Sequence, residues 1–335
     1  MKKFNFLGSW TFYGIFLCGL NLGLTTSGFS NSDGLYKYKG KTISKSDLSP
    51  AAQQAIYDAE KHYYQNVLRI IEGNILEAYL DEEAAKQKKP RKTIEDKMFA
   101  AKVEDKDAKA WYDDNKARLG GRAFDSIKNE IIQFLTRQKL EEVKKDVVGK
   151  VKKDGQFSLL ISEPQAPTIE ISYSDYPFKG GKNAKVTVVE FADYKCPHCK
   201  EASNILKEIS DEYKDKIKVV FLDFPLRMGG LSTTIAHGGV CADKQGKFWE
   251  YHYMAFKEQA GLKADSPVKF AESLGLKIDP FKACLAASST KEKVEKSRAE
   301  GERIGVQGTP AIYVNGQKLS GYDAKDLKKL IDKNL

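Results

Sequence analysis

The sequence predicts an α/β protein in two parts, a mainly helical N-terminal region followed by a unit of alternating strands and helices. Three observations carry this. Apolar residues between positions 56 and 79 recur at three- and four-residue steps, as on one face of a long helix. The run Val186-Thr-Val-Val-Glu-Phe191 is nearly continuous in apolar residues, as in a strand buried on both faces. Soon after it, Cys196 and Cys199 stand at the start of a further helical segment.

At 335 residues the chain can build two domains, each with its own core. Lys and Arg number 55 against 46 Asp and Glu, a formal charge of +9. The lysines interleave with acids along helical stretches, as in Glu141-Glu142-Val143-Lys144-Lys145. That is the pattern of a solvated helix face. No basic stripe carries aromatic residues, so nucleic acid is not an expected partner.

Lys2 and Lys3 precede an uncharged, largely apolar run over residues 4–24 and then small polar residues. This is the layout of a secretory signal over residues 1–30, cleaved within 27–30. An uncleaved membrane anchor is the alternative, and either places the remainder outside the cytoplasm. Cys18 is a weaker lipid-attachment candidate, because Leu17 stands where a small residue is wanted. With the leader removed, Cys196, Cys199, Cys241 and Cys284 remain, an even number in an oxidising compartment.

Residues 35–43 alternate like a short strand pair around Gly40. Ser49-Pro50 reads as a helix cap followed by proline in the first turn. Ile56, Ala59, Tyr63, Val67, Ile70, Ile71, Ile75 and Tyr79 then form the apolar face of the long helix, which ends before Pro90. A short helix over 106–116 and a long one over 124–152 follow, the latter stopped by Gly155. Residues 157–161 have strand character. Pro164 and Pro167 mark a linker, dividing a helical domain over 33–163 from a second domain over 168–335. Residues 169–173, 186–191 and 217–222 read as strands, 232–303 as a helical block, and 311–314 with 318–319 as a hairpin across Asn315-Gly316. A helix over 323–333 closes the chain. Strand–helix–strand, helical insertion at about 230–303, then hairpin–helix is the order of a thioredoxin fold with an inserted helical domain.

Cys196-Pro197-His198-Cys199 follows a buried strand and opens a helix. The nucleophile in disulfide exchange is a thiolate, and a helix N-terminus stabilises that anion. Two intervening residues let the second sulfur reach the first. Pro197 fits the first turn, where no N–H partner is lost. His198 offers a hydrogen bond or a positive charge near Cys196, stabilising the reduced pair and making its disulfide more oxidising. Half a zinc site is the rival reading, but Cys241, Cys284 and the histidines lack ligand-pair spacing, so no metal is expected. No cofactor is expected beyond the Cys196–Cys199 disulfide itself.

Residues 188–200, with this cysteine pair, resemble the active-site segment of the DsbA-like thiol–disulfide oxidoreductases. Gln245-Gly-Lys-Phe-Trp-Glu-Tyr-His252 resembles the helical-insert motif of that family, and Gly305-Val-Gln-Gly-Thr-Pro-Ala-Ile-Tyr-Val-Asn-Gly316 its cis-proline loop. The likeness covers roughly residues 170–335. It implies that Pro310 is cis and lies against the cysteine pair, with Thr309 offering backbone hydrogen bonds to an extended substrate. It also implies that Glu190 is a buried acid moving protons at Cys199, its pKa raised by burial. Pairing with a nearby lysine is the structural alternative for Glu190. His62, His237 and His252 are read as structural. Two features depart from the family: Ile235-Ala-His-Gly-Gly-Val240 replaces an Ala-rich stretch, and Thr309 replaces the Val common in the best-known oxidases.

Cys241 and Cys284 fall in two helical segments of the insert. They form either a structural disulfide, worth about 4 kcal/mol on the loop-entropy model, or two buried thiols. The N-terminal segments at 35–48, 103–116 and 157–161 resemble the chaperone arm of SurA/parvulin-type proteins. That region therefore reads as a dimerisation or spacer domain, or as a cradle for unfolded polypeptide. The expected function is introduction of disulfides into reduced exported proteins, with a DsbB-like membrane reoxidant. The alternatives are a disulfide isomerase or reductase kept reduced, and a holding chaperone.

Overall fold

The computed structural model describes residues 34–335, apart from 101–102, 117–118 and 156. The export signal expected over residues 1–30, Cys18 included, lies outside the described residues. Two compact units are present, one ending at Ser44 and the other running Lys45–Leu335. The first holds an antiparallel hairpin, β1 (Tyr36–Tyr38) and β2 (Lys41–Ile43), turning through Lys39 and Gly40.

The second unit opens with four helices, α1 (Pro50–Gln87), α2 (Arg91–Met98), α3 (Asp105–Asn115) and α4 (Phe124–Lys153). Ser49 Oγ accepts the Ala52 N–H at 3.3 Å, and Pro50 occupies the first turn, so α1 begins where its cap dictates. The apolar face expected along α1 is only partly used. Its buried residues are Gln54, Tyr57, Leu76 and Leu80, while Tyr63 and Ile70 are each 65% exposed. The cause is length: 38 residues span roughly 57 Å at 1.5 Å per residue. The neighbouring helices α2 and α4 meet the C-terminal part, where Leu76 and Leu80 pack with Ile94 of α2 and Val147 of α4. A second cluster joins Ala108 and Tyr112 of α3 to Ile127 and Ile131 of α4. α2 is not foreseen from the sequence, because its eight residues contribute a single buried side chain, Ile94.

The strand expected over 157–161 does not form. A strand needs a ladder partner, this segment pairs with no strand among the described residues, and Leu160 is 93% exposed.

The main sheet has the order β3-β5-β4-β6-β7, from β3 (Phe178–Gly180), β4 (Val186–Ala192), β5 (Ile217–Asp223), β6 (Ala311–Val314) and β7 (Gln317–Lys318). β4 and β5 are parallel and the other neighbours antiparallel. α5 (Pro197–Tyr213) and α11 (Ala324–Asn334) cover one face, with Leu206, Ile209, Leu327 and Ile331 against Val186 and Val188. Residues 169–173 are not a strand but an extended strap on the other face. Ile169 and Ile171 are buried there beside Val189, Val220 and Tyr313, and the Ile169 N–H donates to Gly316 O at 2.9 Å. Asn315 and Gly316 both take positive φ, which the two-residue β6–β7 turn requires. Five helices are inserted between β5 and β6: α6 (Leu231–Asp243), α7 (Phe248–Lys257), α8 (Ser266–Ser273), α9 (Ile278–Ala286) and α10 (Ser288–Arg303). A disulfide joins Cys241 of α6 to Cys284 of α9. The unit is a thioredoxin-like sheet carrying a helical insert, preceded by a large helical part. Among the described residues no helix is long and apolar enough to cross a membrane.

The unusual Gly238-Gly239 pair in α6 has a packing reason. A Cβ at Gly238 would lie 2.0 Å from Tyr251 Oη and 2.8 Å from Pro267 Cβ. Tyr251 is fully buried and its hydroxyl donates to Ile235 O at 2.9 Å, so it has little room to move aside. Helix propensity alone makes alanine better than glycine by about 1 kcal/mol. Overpacking outweighs that gain, and Gly238→Ala is expected to lower stability by about 1–3 kcal/mol in urea titrations.

Candidate active site

β4 is buried along its whole length, held between β5 and β6, and its C-terminal end aims the following loop at the start of α5. Cys196 is the helix cap residue, and its carbonyl accepts the Cys199 N–H at 3.1 Å. Pro197 takes the first helical position, where the missing N–H leaves no bond unmade. The two sulfurs sit in unlike places. Cys196 is partly exposed and Cys199 is wholly buried, and both are free thiols here. The Cys196 thiol donates to Thr309 O at 3.2 Å, and the Thr309–Pro310 bond is cis. The loop before β6 thus lies directly against the cysteine pair.

Glu190 lies beneath this pair on β4, opposite Phe221 and Ile312 in the ladders. It is buried, and its Oε1 has no hydrogen-bond partner. Desolvation pushes its pKa up to about 8, so the carboxyl is neutral at pH 7. It borders a small cavity with Ser203, Ser210 and His252. Burial pushes the Cys199 thiol strongly upward, and the charge of an ionised Glu190 adds to this; the Thr309 side chain and the Asp193 backbone oppose it. The outer cysteine caps a helix N-terminus, while the inner one is held as a thiol by its burial.

His198 is exposed. Its Nδ1 pairs with Tyr322 Oη at 2.8 Å, and that hydroxyl donates to Glu201 Oε2 at 2.8 Å. The hydrogen bond from His198 to Cys196 that the sequence allows is therefore replaced by one to Tyr322, because position 198 in the first turn faces the loop before α11. His252 is buried between Ser203 Oγ at 2.9 Å and Tyr194 Oη at 3.3 Å, and burial lowers its pKa to about 3. It is a neutral core group. Among the described residues no three His, Cys, Asp or Glu side chains converge as a metal site.

Three site residues escape the sequence reading. Asp193 Oδ1 accepts the Lys195 N–H at 2.6 Å and the Ser232 hydroxyl, its Oδ2 accepts the Leu226 N–H at 2.8 Å, and its carbonyl accepts the Cys196 N–H at 3.0 Å. Gln259 Nε2 donates to both Tyr194 O and Cys196 O at 2.9 Å. Tyr322 is the third. An acid directly after a buried strand is a usable signal for Asp193, but nothing local marks Gln259 or Tyr322.

A family model described as "Thioredoxin" matches residues 174–333. A Bacillus cereus protein named "Probable disulfide bond formation protein D" is 35% identical over 194 residues, spanning 53% of this chain and 88% of that protein. Two solved structures are also similar. BdbD from Bacillus subtilis is 28% identical with a TM-score of 0.47, covering 51% of this chain and 98% of its own. The thiol–disulfide exchange protein alpha-DsbA2 from Wolbachia pipientis is 27% identical with a TM-score of 0.45, covering 48% of this chain and 87% of its own.

The buried acid makes stability pH-dependent in a defined direction. Between about pH 4.5 and pH 8 the unfolded chain has released the Glu190 proton and the folded chain retains it. Stability from this group is therefore complete below about pH 4.5 and is lost as pH rises through about 8. Urea titrations of the reduced protein from pH 4 to pH 9 should show that decline, and Glu190→Gln should flatten it.

Proposed function

Because the chain belongs to the DsbA-like thiol–disulfide oxidoreductases, we propose that it acts outside the cytoplasm, delivered by its N-terminal leader, as an oxidant that introduces disulfides into exported polypeptides. The observation that carries this reading is the asymmetry of the pair: Cys196 partly exposed at a helix N-terminus, Cys199 buried above a neutral Glu190. A substrate thiolate attacks Cys196 Sγ in the Cys196–Cys199 disulfide, and the bond's electron pair leaves on Cys199. Glu190, protonated at neutral pH, supplies the proton that Cys199 takes up. A second substrate thiolate then attacks the substrate sulfur of the mixed disulfide. Cys196 leaves as a thiolate, and the substrate departs with a new disulfide, two electrons poorer. No cofactor beyond the pair is needed, and a DsbB-like membrane quinone reductase is the matching reoxidant by family analogy.

A helix N-terminus favours the thiolate of the reduced state, which makes the disulfide the stronger oxidant. A second reading, an isomerase or a holding chaperone, is favoured by Tyr63 and Ile70, which leave apolar surface open along α1. The reduction potential separates them. We expect it nearer the value of about −120 mV typical of strong periplasmic oxidants than the value of about −270 mV of thioredoxin. A thioredoxin-like value, with no oxidation of a reduced unfolded protein, overturns the oxidant reading. Cys196→Ala should abolish thiol oxidation, and Cys199→Ala should accumulate a mixed disulfide visible on non-reducing gels.

A further inference from the structure

The loop between β4 and α5 is short of partners in its own sheet. The helical insert supplies them. On one side Ser232, in the first turn of α6, donates to Asp193, whose carboxylate holds the Lys195 N–H. On the other side Gln259, just after α7, donates from a single nitrogen to the carbonyls of Tyr194 and Cys196. These two carbonyls flank the Lys195 and Cys196 backbone, and the second belongs to the reacting cysteine itself. We infer that Gln259 is a positioning residue for Cys196, and that through it the helical insert sets how readily the Cys196 thiolate forms and how oxidising the pair is.

The argument is electrostatic and geometric. A carbonyl oxygen carries partial negative charge, and one turned towards a thiolate destabilises it. Gln259 Nε2 draws both oxygens to itself at 2.9 Å, fixing the direction of their dipoles. An amide suits this place because one neutral nitrogen carries two N–H donors, one for each carbonyl. The Cys196 carbonyl is also the first acceptor of α5, taking the Cys199 N–H at 3.1 Å and the Lys200 N–H at 3.4 Å. Anchoring it therefore anchors the helix end that faces the sulfur. Asp193 completes the arrangement by holding the Lys195 and Cys196 N–H groups. Both clamps reach into the insert, so the insert acts on the sulfur through backbone orientation.

This inference rests on Cys196 being the attacked sulfur. Gln259→Met keeps the side chain's length and removes its donors. Gln259→Glu places an acceptor against two acceptors and adds negative charge beside the thiolate. In full-length protein, both should move the pH midpoint of Cys196 alkylation by iodoacetamide upward, Glu more than Met. The redox equilibrium constant with glutathione should shift about tenfold towards the less oxidising side, which is about 30 mV for this two-electron couple. Circular dichroism and urea titration establish that each variant is folded at the assay temperature. A loss of stability with both the alkylation profile and the glutathione equilibrium within twofold of the native protein assigns Gln259 a purely structural part and overturns the inference. If Gln259→Met does not fold, the folded Gln259→Glu decides alone. A native protein whose Cys196 exchanges with no disulfide strikes instead at the oxidant reading.

Discussion

The complete burial of β4 is the constraint on which the active site depends. The strand is paired on both edges and covered on both faces, so every residue from Val186 to Ala192 is removed from water. A carboxyl on such a strand cannot ionise without cost, which is why Glu190 is neutral at pH 7. The strand must also end where the sheet ends, and there the chain turns into α5 with Cys196 as its cap. One sulfur lands at the solvent boundary and the other, three residues on, inside the core. The chemical difference between two identical side chains follows from that boundary.

The catalytic loop is stabilised from outside the sheet. Cys196 meets Thr309 O from the loop before β6, His198 meets Tyr322 from the loop before α11, and Tyr194 and Cys196 meet Gln259 from the insert. Each partner lies more than 60 residues away along the chain. The insert in turn needs its own rigidity. The Cys241–Cys284 disulfide closes a separation of 43 residues, worth up to about 4 kcal/mol on the loop-entropy model. Gly238 lets Tyr251 pack flush against α6, where a Cβ would collide with the tyrosine hydroxyl.

The N-terminal helices are of a different character. α1 is docked at its two ends and leaves its middle to solvent, with Lys61 Nζ reaching Ser320 Oγ at 3.1 Å beside the active-site loops. Its apolar periodicity is real, but periodicity reports what a helix could bury rather than what is there to bury it. Tyr63 and Ile70 show the difference. The segment 157–161 makes the same point for strands, since an apolar run without a neighbouring edge yields no ladder.

Short-range physics made much of this protein legible in its sequence. Capping by Ser49-Pro50, the buried run at 186–191, the Asn315-Gly316 turn and the spacing of Cys196 and Cys199 each act within a few residues, so local pattern suffices to find them. The sequence by itself determined that a cysteine pair would open a helix behind a buried strand, and the acid beneath it was implied by the family resemblance. Only the tertiary structure decided which way His198 would face, that 169–173 would be a strap rather than a strand, and that Asp193 and Gln259 would clamp the loop. Those outcomes depend on which distant donor or acceptor arrives within about 3 Å, and no sequence window holds both ends of such a bond.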